Sequence, residues 1–516
     1  MTNDPQSFRI AIIGGGLSGL AAAHRLIELS RASASPIDVT LFEAGSRLGG
    51  IVGTQRIGGY LVDTGADSFL TNKPGAIGLC RRLGLEDRLV ATDARYRGAH
   101  VLFDGRPVPV PDGFQLISPS AMWPILATPI LSPWGKLRML MEYFVPPRQA
   151  ASDKLSIPHP SSFISHPSVP QPSTLNPQPS RDESLADFVR RRFGREALER
   201  LVQPLVGGIY TSDPERLSLA ATLPRFLEME REHGSLIRAA RKAGRGTRGE
   251  GQRTESNTGD TTSSGARYGL FAGLAGGMED LVTALRSRVE AGCSVKLGAK
   301  VTAIRRAHGP KLGYELSLSD GTVQTFNAVI VATTAYHAAT MLDELDPVLA
   351  QALNGIEYAS SVVVVTGHKL ANVRHPLDSF GLVVPHRERR RILATSFSSR
   401  KFSERAPADS VLLRTFVGGA MQPELYDLGD DELKQLVLDE LSDIFGVQGD
   451  PEIALVVRYP RAMPQYLVGH LDRVDRIESL TARHPGLALA GNAYRGVGIP
   501  DAITSGEAAA ESVIGP

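Results

Sequence analysis

The chain has little cysteine. Cys80 and Cys293 are the only two in 516 residues, far apart, with no CxxC pair and no histidine-rich companion. That excludes a disulfide framework and a zinc-ribbon type of site, and a reducing compartment is the expectation. A surplus of charge is also missing. With 56 basic against 55 acidic residues, no global field draws the chain to nucleic acid, and no nucleic-acid partner is expected. The N-terminus, MTNDPQSFRIAIIGGG, runs into a strand pattern without a basic region, apolar core and cleavage site in succession, so no signal peptide is expected. Long apolar runs are scarce as well. Residues 113–135 form 23 positions without a charge, long enough to cross a bilayer as one helix. However, Pro119, Pro124, Pro129 and Pro133 interrupt it every four or five residues and would strand carbonyls in hydrocarbon. We read a broken apolar surface there, not a span. An apolar content of 42% with mean hydropathy near zero excludes both a disordered chain and a polytopic membrane protein, and the length suits two or three domains. Glycine and proline, in contrast, are plentiful at 52 and 34, which implies many tight turns and close backbone approaches.

The first of those turns carries chemistry. Phe8 to Ile13 is a short apolar run, Gly14 to Gly19 reads GGGLSG, and Leu20 to Leu29 has helical apolar spacing, giving the order strand, glycine turn, helix. Val39 to Phe42 is a second run ending in Glu43. In a GxGxxG turn Gly14 permits the tight turn, Gly16 lets backbone amides reach a pyrophosphate, and Gly19 lets the helix pack on the strand. Glu43, closing the next strand, can accept hydrogen bonds from ribose hydroxyls. A dinucleotide is the expected ligand. At the far end, a strand at Leu487–Gly491, the segment GNAYRGVGIPD and a helix from Ala502 repeat the strand–turn–helix order, so the two chain ends are expected to complete one cofactor site.

The residues from Glu43 to Gly50 read EAGSRLGG and resemble the ExxxRxGG pattern of amine-oxidase-like flavoproteins, which selects FAD. The block from Arg200 to Pro214, RLVQPLVGGIYTSDP, with Leu217, Ser218 and Leu219, the turn Gly276, Gly277, Met278 and the tail GNAYRGVGIPDAITSG are similar to the oxygen-dependent protoporphyrinogen oxidases. That family also holds bacterial enzymes acting on coproporphyrinogen III. The resemblance implies an α/β fold of the amine oxidase type with three parts. They are a discontinuous Rossmann-like FAD domain (1–90, 268–335 and 480–516), a β-rich substrate domain (91–99 and 336–479) and an α-helical membrane-facing region (100–240). Flexible insertions are expected at 147–181 and 244–266. It implies non-covalent FAD held by Gly14, Gly15, Gly16, Leu17, Ser18, Gly19, Glu43, Ala44, Arg47, Gly49 and Gly50, then by Gly65, Ala66, Asp67 and Val301, and by Gly491, Asn492, Val497, Gly498 and Ile499.

The implied reaction is a six-electron oxidation of a porphyrinogen in three two-electron steps, with hydride passing to flavin N5 and O2 as acceptor. No side chain is expected as catalytic acid, base or nucleophile, and the twelve histidines show no metal spacing. The resemblance sets Gly207 and Gly208 beside the substrate, Phe402 against a pyrrole ring, and Val362 and Leu382 on the macrocycle faces. Relatives from mitochondria and plastids carry an arginine for a propionate at a position where this chain has Ala99 or His100, with Arg95 and Arg97 nearby. The apolar stretch, with Phe114, Leu116, Ile117, Met122, Trp123, Ile125, Leu126, Ile130, Leu131, Trp134 and then Lys136 and Arg138, is expected to meet a membrane peripherally. The expected location is the cytoplasmic side, on the inner face of the plasma membrane; a homodimer is left open. Carotenoid desaturase or amine oxidase chemistry, or a non-catalytic FAD-binding scaffold, are the other readings of the same fold.

Overall fold

The computed structural model describes residues 7–32, 37–119, 121–148, 182–246, 270–307 and 313–514. Of the two expected insertions, 149–181 and 247–266 lie outside these residues; the helix Leu236–Gly246 runs three positions into the second.

Five parallel strands form the sheet on which the cofactor side is built. They lie in the order Ser294–Leu297, Ile37–Glu43, Phe8–Ile13, Ala328–Val331, Leu487–Leu489. Ile10, Ile12, Leu41, Val329 and Ile330 are wholly buried, as strands covered on both faces require. On one face the helices Leu17–Ala32, Glu279–Gly292 and Ile499–Ile514 pack through Leu20, Ala23, Leu281, Leu285, Ile503 and Ala510. Against the other lie the antiparallel strands Val301–Arg306, Tyr314–Leu318 and Val323–Phe326 and the helices Ala335–Leu342, Pro347–Asn354 and His470–Thr481. Both chain ends thus enter one sheet.

A second sheet of seven strands runs Ile453–Pro464, Tyr358–Lys369, Ser410–Gly418, Ala394–Phe397, Gly381–Val383, His100–Phe103, Arg106–Pro109. It is antiparallel except where Leu382 pairs with His100 in parallel register. The helix Asp430–Phe445 covers one face, seating Leu433, Val437 and Leu441 against Val362, Val364 and Leu413. Residues 100–109, expected to open the helical region, therefore belong to this sheet.

Helices dominate from Trp123 onward: Trp123–Ala127, Pro133–Leu140, Leu185–Arg192, Gln203–Tyr210, Pro224–His233 and Leu236–Gly246. Pro124 and Pro133 stand in the first turn of their helices, where a missing amide costs nothing, so prolines begin these short helices instead of breaking a long one. No helix of the described residues is long and apolar enough to cross a membrane. Leu198–Val202 forms a π turn just ahead of Pro204, whose ring and absent amide prevent the ordinary repeat from running through.

Candidate functional site

The glycine turn joins the strand Phe8–Ile13 to the helix Leu17–Ala32. Gly14 has φ +106° and donates its amide to Phe42 O at 2.8 Å, a conformation open to glycine at little cost. A methyl group on Gly19 would overlap the Gly14 carbonyl, so only glycine lets the helix lie this close to the strand. Gly16 is different: a Cβ there meets nothing within 4 Å, because the position faces a cavity. Gly16, Leu17, Ser18, Gly49, Gly50, Ala66, Gly491, Asn492, Val497, Gly498 and Ile499 all line that cavity, together with Thr333, Thr334 and Lys73, which the sequence reading did not find. The helices starting at Leu17 and Ile499 both point their N-termini into it. The first has no acidic residue in its first turn, and in the second Asp501 is paired with Lys73 at 2.7 Å. Two helix ends and a bare Gly16 backbone make a cradle suited to a diphosphate.

Glu43 and Arg47 are tied into the loops beside the cavity. Glu43 sits behind the turn, accepting from the amides of Gly15 at 2.7 Å and Gly45 at 2.6 Å, so its carboxylate orders the loop. Arg47 folds back on its own loop, donating to Gly50 O at 2.6 Å and to Leu48 and Val52 carbonyls at 3.2 Å. Gly49 N in turn donates to Gly15 O at 2.8 Å, tying the two glycine loops together. Ala44 is exposed and Val301 is buried in the strand core; neither lines the cavity. The C-terminal turn is held by two residues that no motif announced. Tyr466 donates to Asn492 O at 2.7 Å and accepts from Gly496 N at 2.8 Å, and His470, stacked on Tyr466 at 3.9 Å, bonds Tyr494 O at 2.8 Å.

A second, largely apolar cavity opens from the first. Ile51, Ala66, Ala462, Asn492 and Val497 line both. Its walls come from the seven-stranded sheet, through Val363, Leu382, Val383 and Phe416, and from the helix Gln203–Tyr210, through Leu205, Gly208 and Ile209. Leu382 and Gly208 are thus brought to the cavity as expected residues, while Gly207 faces Gln203 instead. Val362 is not there: it lies on the opposite sheet face against the helix Asp430–Phe445, and Ser361 and Val363 face inward, because successive strand residues alternate. Phe402 is 1% exposed and packs beside Gly273, a core aromatic with no cavity face. His100 is buried too, bonded to Ser379 Oγ at 2.8 Å, and it is Ala99 that reaches the cavity. His100, His375 and Asp378 bring potential ligand atoms within 4.8 Å of one another, the one such group among the described residues. The His375 Nδ1 lone pair is, however, taken by Leu377 N–H at 3.0 Å. Neither Arg95 nor Arg97 lines the cavity; Arg95 is spent on Asp93 at 2.6 Å.

Charge enters the cavity elsewhere. Asp67, Lys401 and Arg414 line it, with Lys401 Nζ 2.8 Å and Arg414 Nη1 3.3 Å from the Asp67 carboxylate. Burial alone would raise the Asp67 pKa, but the two cations outweigh it and hold the carboxyl well below the usual range.

The residues 17–514 match the family of flavin containing amine oxidoreductases. The coproporphyrinogen III oxidase of Bacillus subtilis (strain 168) is 32% identical over 508 residues, covering 98% of this chain and 97% of that protein. Protoporphyrinogen oxidase 2, chloroplastic/mitochondrial, of Arabidopsis thaliana is 29% identical, with 98% and 94% covered. A crystal structure from Exiguobacterium sp. 255-15, named provisionally as a protoporphyrinogen oxidase, superposes with TM-score 0.79 at 29% identity over 98% of this chain and 99% of that one. With its nucleotide cradle and match over nearly its whole length, the chain belongs to the flavin-containing amine oxidoreductases and is an FAD-dependent oxidoreductase.

Proposed function

We propose that this enzyme oxidises a porphyrinogen, coproporphyrinogen III or protoporphyrinogen IX, to the corresponding porphyrin in haem synthesis, with O2 as the final acceptor. The observation that carries the reading is the junction of the two cavities at Ile51, Ala66, Ala462, Asn492 and Val497. A broad, apolar second chamber meets the cofactor cradle there. The names of the relatives point the same way. Bound FAD supplies the two-electron acceptor that each of three successive steps needs. The chain's own part is orientation. Leu382 and Val383 on the sheet and Leu205 and Ile209 on the helix grip the macrocycle from two sides, Gly208 leaves room for it, and the apolar walls exclude water. The residues assigned above to FAD and substrate, less Ala44, Val301, Gly207, Val362, Phe402 and His100, are the site of this proposal, and the division into FAD, substrate and helical domains belongs to it with residues 100–109 moved from the helical to the substrate domain.

FAD is non-covalent in this account. Cys80 and Cys293 line neither cavity, and burial pushes their thiols up to about 11 and 12, away from reactivity. Peripheral membrane attachment is also proposed, through a revised set of residues. Phe114, Leu116, Ile117, Ile125, Ile130 and Leu131 are core, whereas Trp123, Trp134 and Phe144 are each more than three-quarters exposed, with Leu137, Leu140 and Met141 exposed between them. Lys136 and Arg138 are bonded to backbone carbonyls of Leu126, Arg191 and Arg192. Arg238, lying over the Tyr143 ring at 4.3 Å, and the exposed Arg241 and Lys242 take over as the cations for anionic head groups. Aerobic incubation with each porphyrinogen tests the main reading: porphyrin fluorescence must rise faster than in the enzyme-free control, and an equal rate would refute it.

A further inference from the structure

The wall of the substrate cavity holds more positive than negative charge. Lys401 and Arg414 share one carboxylate, Asp67, so the group carries an excess of one positive charge while its side chains are 14%, 4% and 12% exposed. The remaining neighbours do not balance it. Lys401 Nζ bonds Ser68 Oγ at 2.7 Å and lies 5.2 Å and 5.3 Å from the Phe271 and Phe402 ring centres. Arg414 donates to the Gly65 carbonyl, and its Nε has no hydrogen-bond partner among the described residues. Beside it the Tyr459 hydroxyl, also in the cavity wall, is buried against the Arg414 guanidinium, which can only donate to it, so the hydroxyl's own hydrogen has no acceptor among the described residues. An uncompensated cation in an apolar chamber is costly, as is a buried donor without an acceptor, and both costs vanish when an anion enters. The position is informative too: Asp67 follows Ala66, which borders both cavities, and Ser68 lines the cofactor cradle.

We propose that Lys401, Arg414 and the Tyr459 hydroxyl form a carboxylate subsite at the flavin end of the cavity, filled by an acidic side chain on the edge of the substrate macrocycle. The inference rests on the porphyrinogen reading of the cavity and sharpens it. A macrocycle with a propionate on every pyrrole satisfies the subsite whichever pyrrole lies inward. One with propionates on two adjacent pyrroles satisfies it in only part of its orientations, so the four-acid substrate is preferred. Asp67 holds the two cations in place while the cavity is empty and keeps their mutual repulsion in check.

The test uses FAD-loaded protein and three porphyrinogens: coproporphyrinogen III with four carboxylates, protoporphyrinogen IX with two, and etioporphyrinogen, which has none. In Lys401→Gln and in Arg414→Gln the ratio of kcat/KM for coproporphyrinogen over etioporphyrinogen should fall roughly tenfold or more, mainly through KM, since a hydrogen bond to a charged group is lost. Arg414→Lys should restore most of that ratio. FAD content measured on each variant separates this effect from misfolding, and Lys401, at the cavity wall, gives a second variant if Arg414→Gln does not fold. Equal loss on all three substrates, with a shifted flavin potential, would overturn the proposal and assign the charge to the reduced cofactor. If wild-type protein turns over no porphyrinogen, the functional reading fails instead. The subsite is then read by equilibrium binding of coproporphyrin III against etioporphyrin, where equal affinities overturn it.

Discussion

Two glycines three residues apart have different duties. Gly19 is a packing residue, since any Cβ there runs into the Gly14 carbonyl, whereas Gly16 faces open space in the cradle. Gly19→Ala should therefore unfold or strongly destabilise the protein, while Gly16→Val should give a folded protein purified without FAD. Thermal melts and flavin absorbance on both variants check this, and flavin-replete Gly16→Val would be the wrong outcome. His368 carries the second residue-scale prediction. It is 1% exposed in the strand Tyr358–Lys369, neither ring nitrogen has a partner among the described residues, and burial pushes its pKa down to about 4. Below pH 6.5 the unfolded chain binds a proton that the folded chain refuses, so stability is lost as pH falls from 6.5 towards 4, by up to about 3 kcal/mol. His368→Leu should flatten the melting temperature over that range. The glycine turn was legible because its chemistry is local. Lys401 and Arg414 were not, since Lys401 meets Asp67 across 334 positions and nothing in either neighbourhood announces the other.

At the scale of elements, strong periodicity was readable and register was not. The helix Asp430–Phe445 carries its end signals locally, with Asp430, Asp431 and Glu432 in its first turn and Gly446 in the left-handed conformation after it. In the strand Tyr358–Lys369 the unbroken run of valines hides which face is which, so Val362 was expected where Val363 stands. The hairpin at 100–109 escaped for a related reason: its partner strand, Gly381–Val383, lies some 280 residues away and supplies the order. The helical region is joined by a buried ionic network equally invisible beforehand. Arg192, wholly buried, bridges Glu142 at 3.2 Å and Glu230 at 2.5 Å. Glu142 also accepts from Ser235 Oγ at 2.6 Å and the Leu236 amide at 2.9 Å, capping the helix Leu236–Gly246 from outside. Arg192→Met leaves two carboxylates without their shared cation. It should cost about 3–5 kcal/mol, read by denaturant unfolding, and a loss below 1 kcal/mol would contradict the role given to the network.

For the whole molecule, the fold brings together what is far apart in the chain. The N-terminal glycine turn and the C-terminal helix share one sheet and one cradle, and the seven-stranded sheet walls the apolar cavity that opens from that cradle. The exposed apolar side chains between Trp123 and Phe144 are the remaining large-scale feature. Co-sedimentation with anionic liposomes should fall sharply in a Trp123→Asp, Trp134→Asp double variant that keeps its FAD, and only partly with salt, since ring burial is apolar. Binding unchanged by the double substitution would show that this segment does not make the contact. The central claim is that the chamber presents a porphyrinogen to bound FAD. Anaerobic addition of coproporphyrinogen III to FAD-loaded protein, followed by flavin absorbance and porphyrin fluorescence together, tests it most directly. The account predicts bleaching of the flavin with one porphyrin formed for every three flavins reduced, and colour restored on admitting O2. Flavin that stays oxidised in the presence of excess porphyrinogen would contradict it.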